Sequence, residues 1–236
     1  TVNADGSWSF TTPELTEGNH SLTATATDAA GNSGPASAPV TFTIDTTPPA
    51  AAADLIVSSE SNGLQVPIAA NGNVNDNAPL LSGTAEPGSV VTISDGDMVL
   101  GSAAVNADGS WRFTTPELTE GAHSLTTTVT DAAGNTGPAS PAINIIVDTV
   151  PPAAIADLLV SDDVGAQQGA LISGDTTDDR TPTLSGTAEP DGQVSVYDGD
   201  VLLGIVAVNS NGSWSFTTPA LSDGLHTLTV TVTDVA

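Results

Sequence analysis

The sequence contains no cysteine and no lysine, and Arg112 and Arg180 are its only arginines. Without cysteine, the chain can form neither a disulfide nor a thiolate zinc site, so its stiffness must come from other interactions. The two arginines stand against 28 aspartates and glutamates, which gives a formal net charge of −26 at pH 7. Such an acidic chain repels nucleic acid, and no apolar run approaches membrane-spanning length. We therefore expect no nucleic-acid partner and no direct insertion into a membrane.

What the chain does contain is a repeat of 103 residues, the interval that separates Trp8 from Trp111 and Trp111 from Trp214. The same interval relates residues 45–49 to residues 148–152, and both of these segments contain a Pro-Pro pair. A strict period of this length is typical of tandem copies of one small domain. The sequence therefore predicts an array of domains, with a function that depends on length, stiffness and junctions.

The phase of the repeat predicts three domains of unequal completeness. Residues 1–46 are expected to form a partial repeat that holds only C-terminal strands. Residues 47–149 are expected to form a complete repeat, and residues 150–236 a repeat that lacks its last strand. We expect the array to continue beyond these residues.

Each repeat alternates short apolar and polar runs between Gly, Pro, Asn and Asp turns, and no stretch shows a helical period of 3.6 residues. This pattern is typical of a β-sandwich. In the complete repeat we expect strand A near 54–58, followed by a long excursion to residue 76. The later strands are expected at 80–85 (B), 89–94 (C), 98–105 (C′), 110–114 (E), 123–130 (F) and 142–147 (G).

The aromatic residues indicate where the core of each sandwich lies. Trp111 and Phe113 are expected on one face of strand E, and Leu125, Thr127 and Val129 on one face of strand F. Because aromatics make up only 3% of the chain, these Trp/Phe pairs are predicted to anchor the cores. Stacking on sugar is the alternative for the tryptophans, and their presence in every copy favours core packing.

Acidic residues concentrate in the turns that a sandwich gathers at its two ends, where successive repeats would meet. Carboxylates this close together, without lysine or arginine, repel one another unless they are protonated or bridged by a metal. Oxygen ligands on flexible Gly/Asn loops suit calcium, so we predict calcium as the cofactor. The candidate ligands are Asp28, Asp45, Asp76, Glu86, Asp95, Asp97, Glu120, Asp131, Asp148, Asp179, Glu189 and Asp234.

Some acidic positions have a simpler explanation as turns. Residue 108 is an aspartate in one copy and Asn211 in the next, and a glycine follows in both, which favours a hairpin turn. The Asp-Gly-Asp segment at 95–97, repeated at 198–200, is also good turn chemistry, and both explanations stay open there.

No arrangement of nucleophile, histidine and acid emerges from the sequence, so we expect no enzymatic activity. The three histidines, His20, His123 and His226, keep the repeat interval at the start of strand F. A single histidine per domain, without cysteine or a second histidine nearby, is expected to be structural.

Four segments together resemble the bacterial Ig-like repeats of the extender regions of giant surface adhesins, which type I (RTX) systems often secrete. They are residues 130–135, 184–190, 196–200 and 209–214, and the resemblance covers essentially all 236 residues. It implies an all-β fold of tandem Ig-like β-sandwich domains in a linear array. It also implies a secreted protein of the bacterial cell surface that takes part in cell adhesion and biofilm formation.

The resemblance further implies calcium at or near the domain junctions. Carried over by position, it favours the linker residues Asp45 and Asp148, the F–G loop residues Asp28, Asp131 and Asp234, and the B–C turn residues Glu86 and Glu189. The implied partners are neighbouring repeats of the same chain and a distal ligand-binding module outside this segment. The alternatives are a carbohydrate- or protein-binding module and accessory domains of a secreted hydrolase.

Overall fold

The computed structural model describes residues 1–61, 64–166 and 168–236, and these residues form strands, turns and loops without any helix. Accordingly, the described part of the chain has no helix long and apolar enough to cross a membrane. The strands are β1 Gly18–Leu22, β2 Val40–Ile44, β3 Ala53–Ser61, β4 Leu64–Pro67, β5 Gly72–Val74, β6 Leu80–Thr84, β7 Val90–Asp95, β8 Met98–Ala104, β9 Ser110–Thr114, β10 Gly121–Thr130, β11 Ile143–Val147, β12 Leu159–Asp162, β13 Gly169–Leu171, β14 Thr183–Thr187, β15 Gln193–Asp198, β16 Val201–Ala207, β17 Ser213–Thr217 and β18 Leu228–Thr233.

The chain divides into two compact units. The first comprises residues 1–58, 80–115 and 124–143. Within it, β1 pairs with β2, β6 lies between β3 and β9, and β7 lies between β8 and β10, with every pair antiparallel.

The second unit comprises residues 59–79, 116–123 and 144–236. Within it, β5 runs parallel to β11. In the third repeat one sheet has the order β13-β12-β14-β17 and the other the order β16-β15-β18, and all of these pairs are antiparallel.

The third repeat shows how two such sheets form a sandwich. Its buried core consists of Leu184 and Trp214 from one sheet, Val194 and Val196 from the other, and Val208 after β16. Burial of these apolar side chains supplies the main driving force for packing the two sheets together. The fold is therefore all-β and consists of tandem β-sandwich domains, as the sequence predicts.

Strands B to G of the complete repeat lie within two residues of their predicted bounds, because their alternation of apolar and polar side chains is strong. Trp111 and Leu125 are 1% and 0% exposed, and Thr127 and Val129 are buried beside them in the same alternation. The prediction that the tryptophan anchors the core is confirmed for this copy and for Trp214.

The structure differs from the prediction in the excursion that follows strand A. Strand β3 extends to Ser61, and both β4 and β5 lie in the segment that was expected to be a loop; residues 62 and 63 of this segment lie outside the described residues. Strand β5 forms because its three residues pair with Ile145, Ile146 and Val147 of β11. Three residues are too few to show an alternating pattern in the sequence.

The structure also differs in the first repeat, where strand E was expected around Trp8. Residues 7–11 form no strand, and Trp8 and Phe10 are 59% and 75% exposed. In the complete repeat, strand E (β9) pairs with strand B (β6), and residues 1–46 contain no counterpart of strand B. Within residues 1–46, the segment around Trp8 therefore has neither a strand to pair with nor a core in which to bury the tryptophan.

Candidate functional site: the linker junction and the acidic loops

The loop between β10 and β11 is organised around the carboxylate of Asp131. Its Oδ1 accepts hydrogen bonds from the backbone N–H groups of Ala133 at 2.8 Å and Asn135 at 2.9 Å, and its Oδ2 accepts one from the Asn135 side chain at 2.9 Å. The hydrogen bond from the Asn135 side chain, helped by these backbone donors, holds the pKa of Asp131 below its ordinary value. Asp131 is therefore ionised at neutral pH and fixes the shape of the loop.

Asn135 connects this loop to the linker that precedes the complete repeat. Its side-chain amide nitrogen, bonded to Asp131, also donates to the backbone carbonyl of Asp45 at 3.1 Å. Nearby, Gly137 lies directly against the carbonyl oxygen of Pro49, which is buried. The side-chain amide of Asn135 thus donates hydrogen bonds to two predicted ligands, the backbone carbonyl of Asp45 and the carboxylate of Asp131.

The first repeat carries the same loop without this connection. Asp28 accepts hydrogen bonds from the N–H groups of Ala30 and Asn32, both at 2.9 Å, and from the Asn32 side chain at 3.0 Å. The Asn32 side chain is the main reason that the pKa of Asp28 is also lowered. Within the described residues, the Asn32 amide donates to Asp28 only.

Each linker is also fastened by a glutamate that lies 29 residues before it. The backbone N–H of Thr46 donates to the two carboxylate oxygens of Glu17 at 3.0 and 3.3 Å, and the Thr46 hydroxyl donates to Glu17 as well. Thr149 makes the same contacts with Glu120, with N–H distances of 3.3 and 3.1 Å. Glu120, a predicted calcium ligand, therefore holds the backbone of the second linker.

The linker aspartates themselves form local turns. Asp45 Oδ1 accepts the N–H of Thr47 at 3.1 Å, and Asp148 Oδ1 accepts the N–H of Val150 at 3.3 Å. The N–H of Asp148 donates to the carbonyl of Val74 at 3.0 Å, which continues the pairing of β5 with β11. The turn hydrogen bonds of Asp45 and Asp148 use Oδ1, and Oδ2 of each carboxylate takes no part in them.

The last residues of β7 and β15 are aspartates that accept hydrogen bonds from β10 and from the segment just before β18. Asp95 Oδ1 accepts the N–H of Ser124 at 2.8 Å, while Asp97 is exposed at the tip of its turn. In the third repeat, Asp198 accepts the N–H of Thr227 at 2.9 Å and lies 2.7 Å from Nδ1 of His226. These contacts support a role in the turn for Asp95 and Asp198, and calcium binding at Asp95 and Asp97 stays a prediction.

His226 lies between two acceptors, since its Nε2 is 2.8 Å from the carbonyl of Ser222 and its Nδ1 faces Asp198. The hydrogen bond to Asp198 is the main cause that raises the pKa of His226, and the same bond lowers the pKa of Asp198. The protonated imidazole, a donor at both nitrogens, fits this position best.

The remaining candidates occupy separate places. Glu86 and Glu189 have exposed side chains, and their backbone carbonyls accept the N–H groups of Ser89 at 3.2 Å and Gly192 at 3.3 Å. Asp234 accepts the N–H of Ala236 at 3.1 Å. Each of these bonds closes a local turn.

Asp76 and Asp179, which are one period apart, differ in their contacts. Asp76 uses both oxygens, accepting the N–H of Ala78 at 2.9 Å and that of Glu60 at 3.3 Å. Asp179 is only 5% exposed and uses one oxygen, which accepts the N–H of Thr181 at 2.7 Å and its hydroxyl at 3.1 Å. The hairpin aspartate Asp108 accepts both the N–H and the hydroxyl of Ser110, as expected of a turn.

The first linker offers oxygen ligands of the kind that calcium binds, but these ligands do not form a complete coordination site. The carboxylates of Asp45 and Asp131 and nearby backbone carbonyls are the hard oxygen ligands that calcium takes. Across residues 1–61, 64–166 and 168–236, no three acidic or histidine side chains converge into a metal-binding group. The donor chemistry thus fits, and the predicted ligand set stays a prediction.

The sequence did not identify four residues that make contacts at the linkers: Thr46, Asn135, Gly137 and Thr149. The signal that could have found the threonines is their spacing, since Glu17 and Glu120 precede them by the same 29 residues in both repeats.

The sequence profile of a family described as bacterial Ig-like domain matches residues 1–46, 52–149 and 151–236. No curated protein is similar enough to the chain to count as a relative. Similar solved structures include the fibronectin(III)-like modules of Clostridium thermocellum CbhA, with 16% identity and a TM-score of 0.38 over 75% of this chain and 84% of that one.

Two bacterial adhesins are also similar in structure. One is a Ca²⁺-stabilised, ice-binding adhesin of an Antarctic bacterium, with 22% identity and a TM-score of 0.35; the match covers 99% of this chain and 61%, less than two thirds, of that chain. The other is a 1.5-MDa bacterial ice-binding adhesin, with 18% identity and a TM-score of 0.31 over 92% of this chain and 73% of that one. Because the family profile matches nearly every residue of all three repeats, the chain belongs to the bacterial Ig-like domain family.

Proposed function

We propose that this chain is a structural extender segment of a secreted bacterial surface adhesin, in which calcium restricts movement between successive Ig-like repeats. The observation that carries the proposal is the Asn135 side chain, which joins the Asp131 carboxylate of one repeat to the Asp45 carbonyl of the preceding linker. An ion held beside this contact would bind two parts of the chain that are otherwise linked by one amide.

The composition supports the same role. A net charge of −26, with only two arginines and no lysine, leaves the carboxylates to be balanced by cations from the medium. Calcium sites of extracellular modules have dissociation constants of about 0.1–1 mM. Such a site is empty in a calcium-poor cytoplasm and filled outside the cell, so the repeats would stiffen only after export.

In this proposal the domain boundaries are those of the sequence repeat, at residues 46/47 and 149/150. The chain has no catalytic task, and its partners are the neighbouring repeats. It would hold a distal ligand-binding module, carried elsewhere in the protein, away from the cell surface, where biofilms form.

Small-angle X-ray scattering of the 236-residue chain, in millimolar calcium and then with a chelator, tests the calcium mechanism. We expect the distribution of interatomic distances to narrow in calcium. The variant Asp131→Asn can keep the two backbone hydrogen bonds to Oδ1, but it removes the charge and the acceptor of the Asn135 side chain, and it should require more calcium for the same change. Asp108→Asn, which removes a charge from a hairpin turn away from the linker, should behave as the unaltered chain.

Identical scattering with calcium and with chelator would overturn the calcium mechanism and leave a plain acidic spacer. The extender role is tested separately by screening the chain against glycan arrays. We expect no binding, because an extender presents another module, whereas saturable binding to one glycan class would favour the binding-module alternative.

A further inference from the structure

The third repeat buries two carboxylates in the region that precedes strand β14, and we infer that they hold a divalent metal ion. Asp162, at the end of β12, and Asp179 are each 5% exposed. An ionised carboxylate at this depth requires hydrogen bonds or a cation to offset its lost hydration. The site lies within one repeat and not at a linker, so the inference goes beyond the proposed function.

One oxygen of this pair lacks a partner among the residues that the structure describes. Oδ1 of Asp179 accepts the N–H and hydroxyl of Thr181, but its Oδ2 is fully buried and accepts nothing. A buried acceptor left unsatisfied is costly and rare, and for a carboxylate the natural remedies are a bound cation or a proton.

Thr177 connects the carboxylate of Asp162 to the backbone of Asp179. Its hydroxyl donates to Oδ2 of Asp162 at 2.5 Å, and its oxygen accepts the N–H of Asp179 at 3.0 Å. Asp162 Oδ1 accepts the N–H of Val164 at 2.8 Å, so the turn after β12 is held by the same carboxylate. The Asp162 carboxylate, the Thr177 hydroxyl and the backbone N–H groups of Val164 and Asp179 therefore form one network, and the Asp179 carboxylate belongs to the residue at its end.

A further acid borders this network. The carboxylate of Asp178 lies against the α-carbon of Gly165, which brings the segment 177–179 into contact with the turn after β12. Asp178 and Thr177 are exposed, whereas Asp162 and Asp179 are buried. A bound ion would therefore contact the buried carboxylates on its protein side, and Thr177 and Asp178 would lie on its solvent side.

The complete repeat provides an internal comparison at the same positions. Ser59 and Val74 stand there in place of Asp162 and Thr177, and Asn75 in place of Asp178. Asp76, the counterpart of Asp179, has both oxygens satisfied, and its Oδ2 accepts the N–H of Glu60. Of these two described positions, Asp179 combines an unsatisfied oxygen with additional oxygen donors nearby, whereas Asp76 does not.

The donors select the ion. Asp162, Thr177 and Asp179 supply oxygen only, without histidine or cysteine, which suits a hard divalent cation and not zinc or copper. Two carboxylates balance one divalent charge, and backbone carbonyls and water can complete the six to eight ligands of calcium.

Isothermal titration of the full chain with calcium tests the inference. Relative to the unaltered chain, Asp179→Asn should bind one ion fewer, and its third repeat should lose the calcium-dependent rise in melting temperature. Asp108→Asn is the control, since it removes a carboxylate that belongs to a hairpin turn and is not among the candidate ligands, and it should keep the full number of ions. Fluorescence of the buried Trp214 reports whether the third repeat stays folded.

A second variant covers the case in which Asp179→Asn does not fold. Asp162→Ser recreates the residue of the complete repeat and should also remove one ion. Unchanged stoichiometry in a folded variant of either kind would overturn the inference. So would a proton on Asp179 at neutral pH, seen in the carboxyl carbon NMR spectrum and unaffected by calcium. Neither result alters the scattering test of the linker, so the two proposals fail independently.

Discussion

The α-carbon of Gly137 rests on the carbonyl oxygen of Pro49, and a β-carbon at residue 137 would overlap that oxygen. The contact joins the loop of the complete repeat to its own linker. The backbone at Gly137 is outside the left-handed region, so space alone excludes a larger residue.

Gly137→Ala is therefore expected to destabilise the complete repeat by about 1–3 kcal/mol, the usual cost of overpacking. Urea unfolding followed by circular dichroism measures this. Gly34→Ala is the matched control, because Gly34 occupies the same position in the first repeat and the nearest atom to its β-carbon, the Ala26 oxygen, would be 3.6 Å away. The control should stay within about 0.5 kcal/mol of the unaltered chain. Equal effects of the two substitutions would show that the Pro49 contact is unimportant.

The three tryptophans should respond differently to truncation. Trp111→Ala removes a side chain that is 1% exposed, and we expect a loss of about 3–5 kcal/mol in the stability of the complete repeat. Trp8→Ala removes one that is 59% exposed and should cost less than about 0.5 kcal/mol. Hydrogen exchange of the β9 and β10 amides measures the first effect, and a substantial cost for Trp8→Ala would contradict the structure.

The pair formed by His226 and Asp198 makes the third repeat sensitive to pH. Because the pKa of His226 is raised, its stabilising effect is complete below the ordinary value of 6.5 and is lost as the pH rises through the raised value. Because the pKa of Asp198 is lowered, its effect is present above the ordinary value of 3.8 and is lost as the pH falls through the lowered value. The pair should stabilise the repeat most between those two ordinary values.

An NMR titration of the imidazole checks this assignment. Asp198→Asn should lower the pKa of His226, since it removes the charged acceptor at Nδ1. Asp200→Asn removes a charge from the same turn but takes away no hydrogen bond that the structure describes, and it should leave the titration nearly unchanged. A His226 titration that ignores both substitutions would refute the pairing.

The glutamate contact at the second linker should protect the Thr149 amide from exchange. Glu120→Ala removes the acceptor of that N–H and of the Thr149 hydroxyl. A hydrogen bond worth about 1 kcal/mol corresponds to an amide that exchanges roughly fivefold faster. Glu117→Ala, which removes an exposed acid three residues earlier, is the control and should leave Thr149 unaffected. Exchange measured by mass spectrometry or NMR separates the two variants.

Local patterns in the sequence were sufficient for the strands of the complete repeat. From residue 123 to residue 130 of β10, buried residues alternate with half-buried serine or threonine, and the period of two fixes both the strand and its inward face. Trp8 shows the limit of this reasoning, because the repeat predicts an identical environment for identical residues. Its exposure follows from the absence of a paired strand B within residues 1–46, and the phase of the repeat already indicates that absence.

The sequence identified the acidic loops as candidate calcium sites, but it could not show which residues contact one another, because these residues are far apart in the chain. The bond between Asn135 and Asp45 joins residues 90 positions apart, and only the folded chain places them together. For Asp179 the sequence supplied a candidate ligand, while its buried and unsatisfied oxygen became visible only after the packing before β14 was known.

The fastening of Thr46 by Glu17 and of Thr149 by Glu120 uses the same 29-residue spacing in both repeats. Each copy therefore carries, within its own gene segment, the residues that secure the link to whatever follows it. Recombination can duplicate or delete whole copies at this period without creating a junction that lacks its partner. In the extender proposed here, a change in the number of copies would change the length of the segment while each copy kept its own Glu–Thr contact.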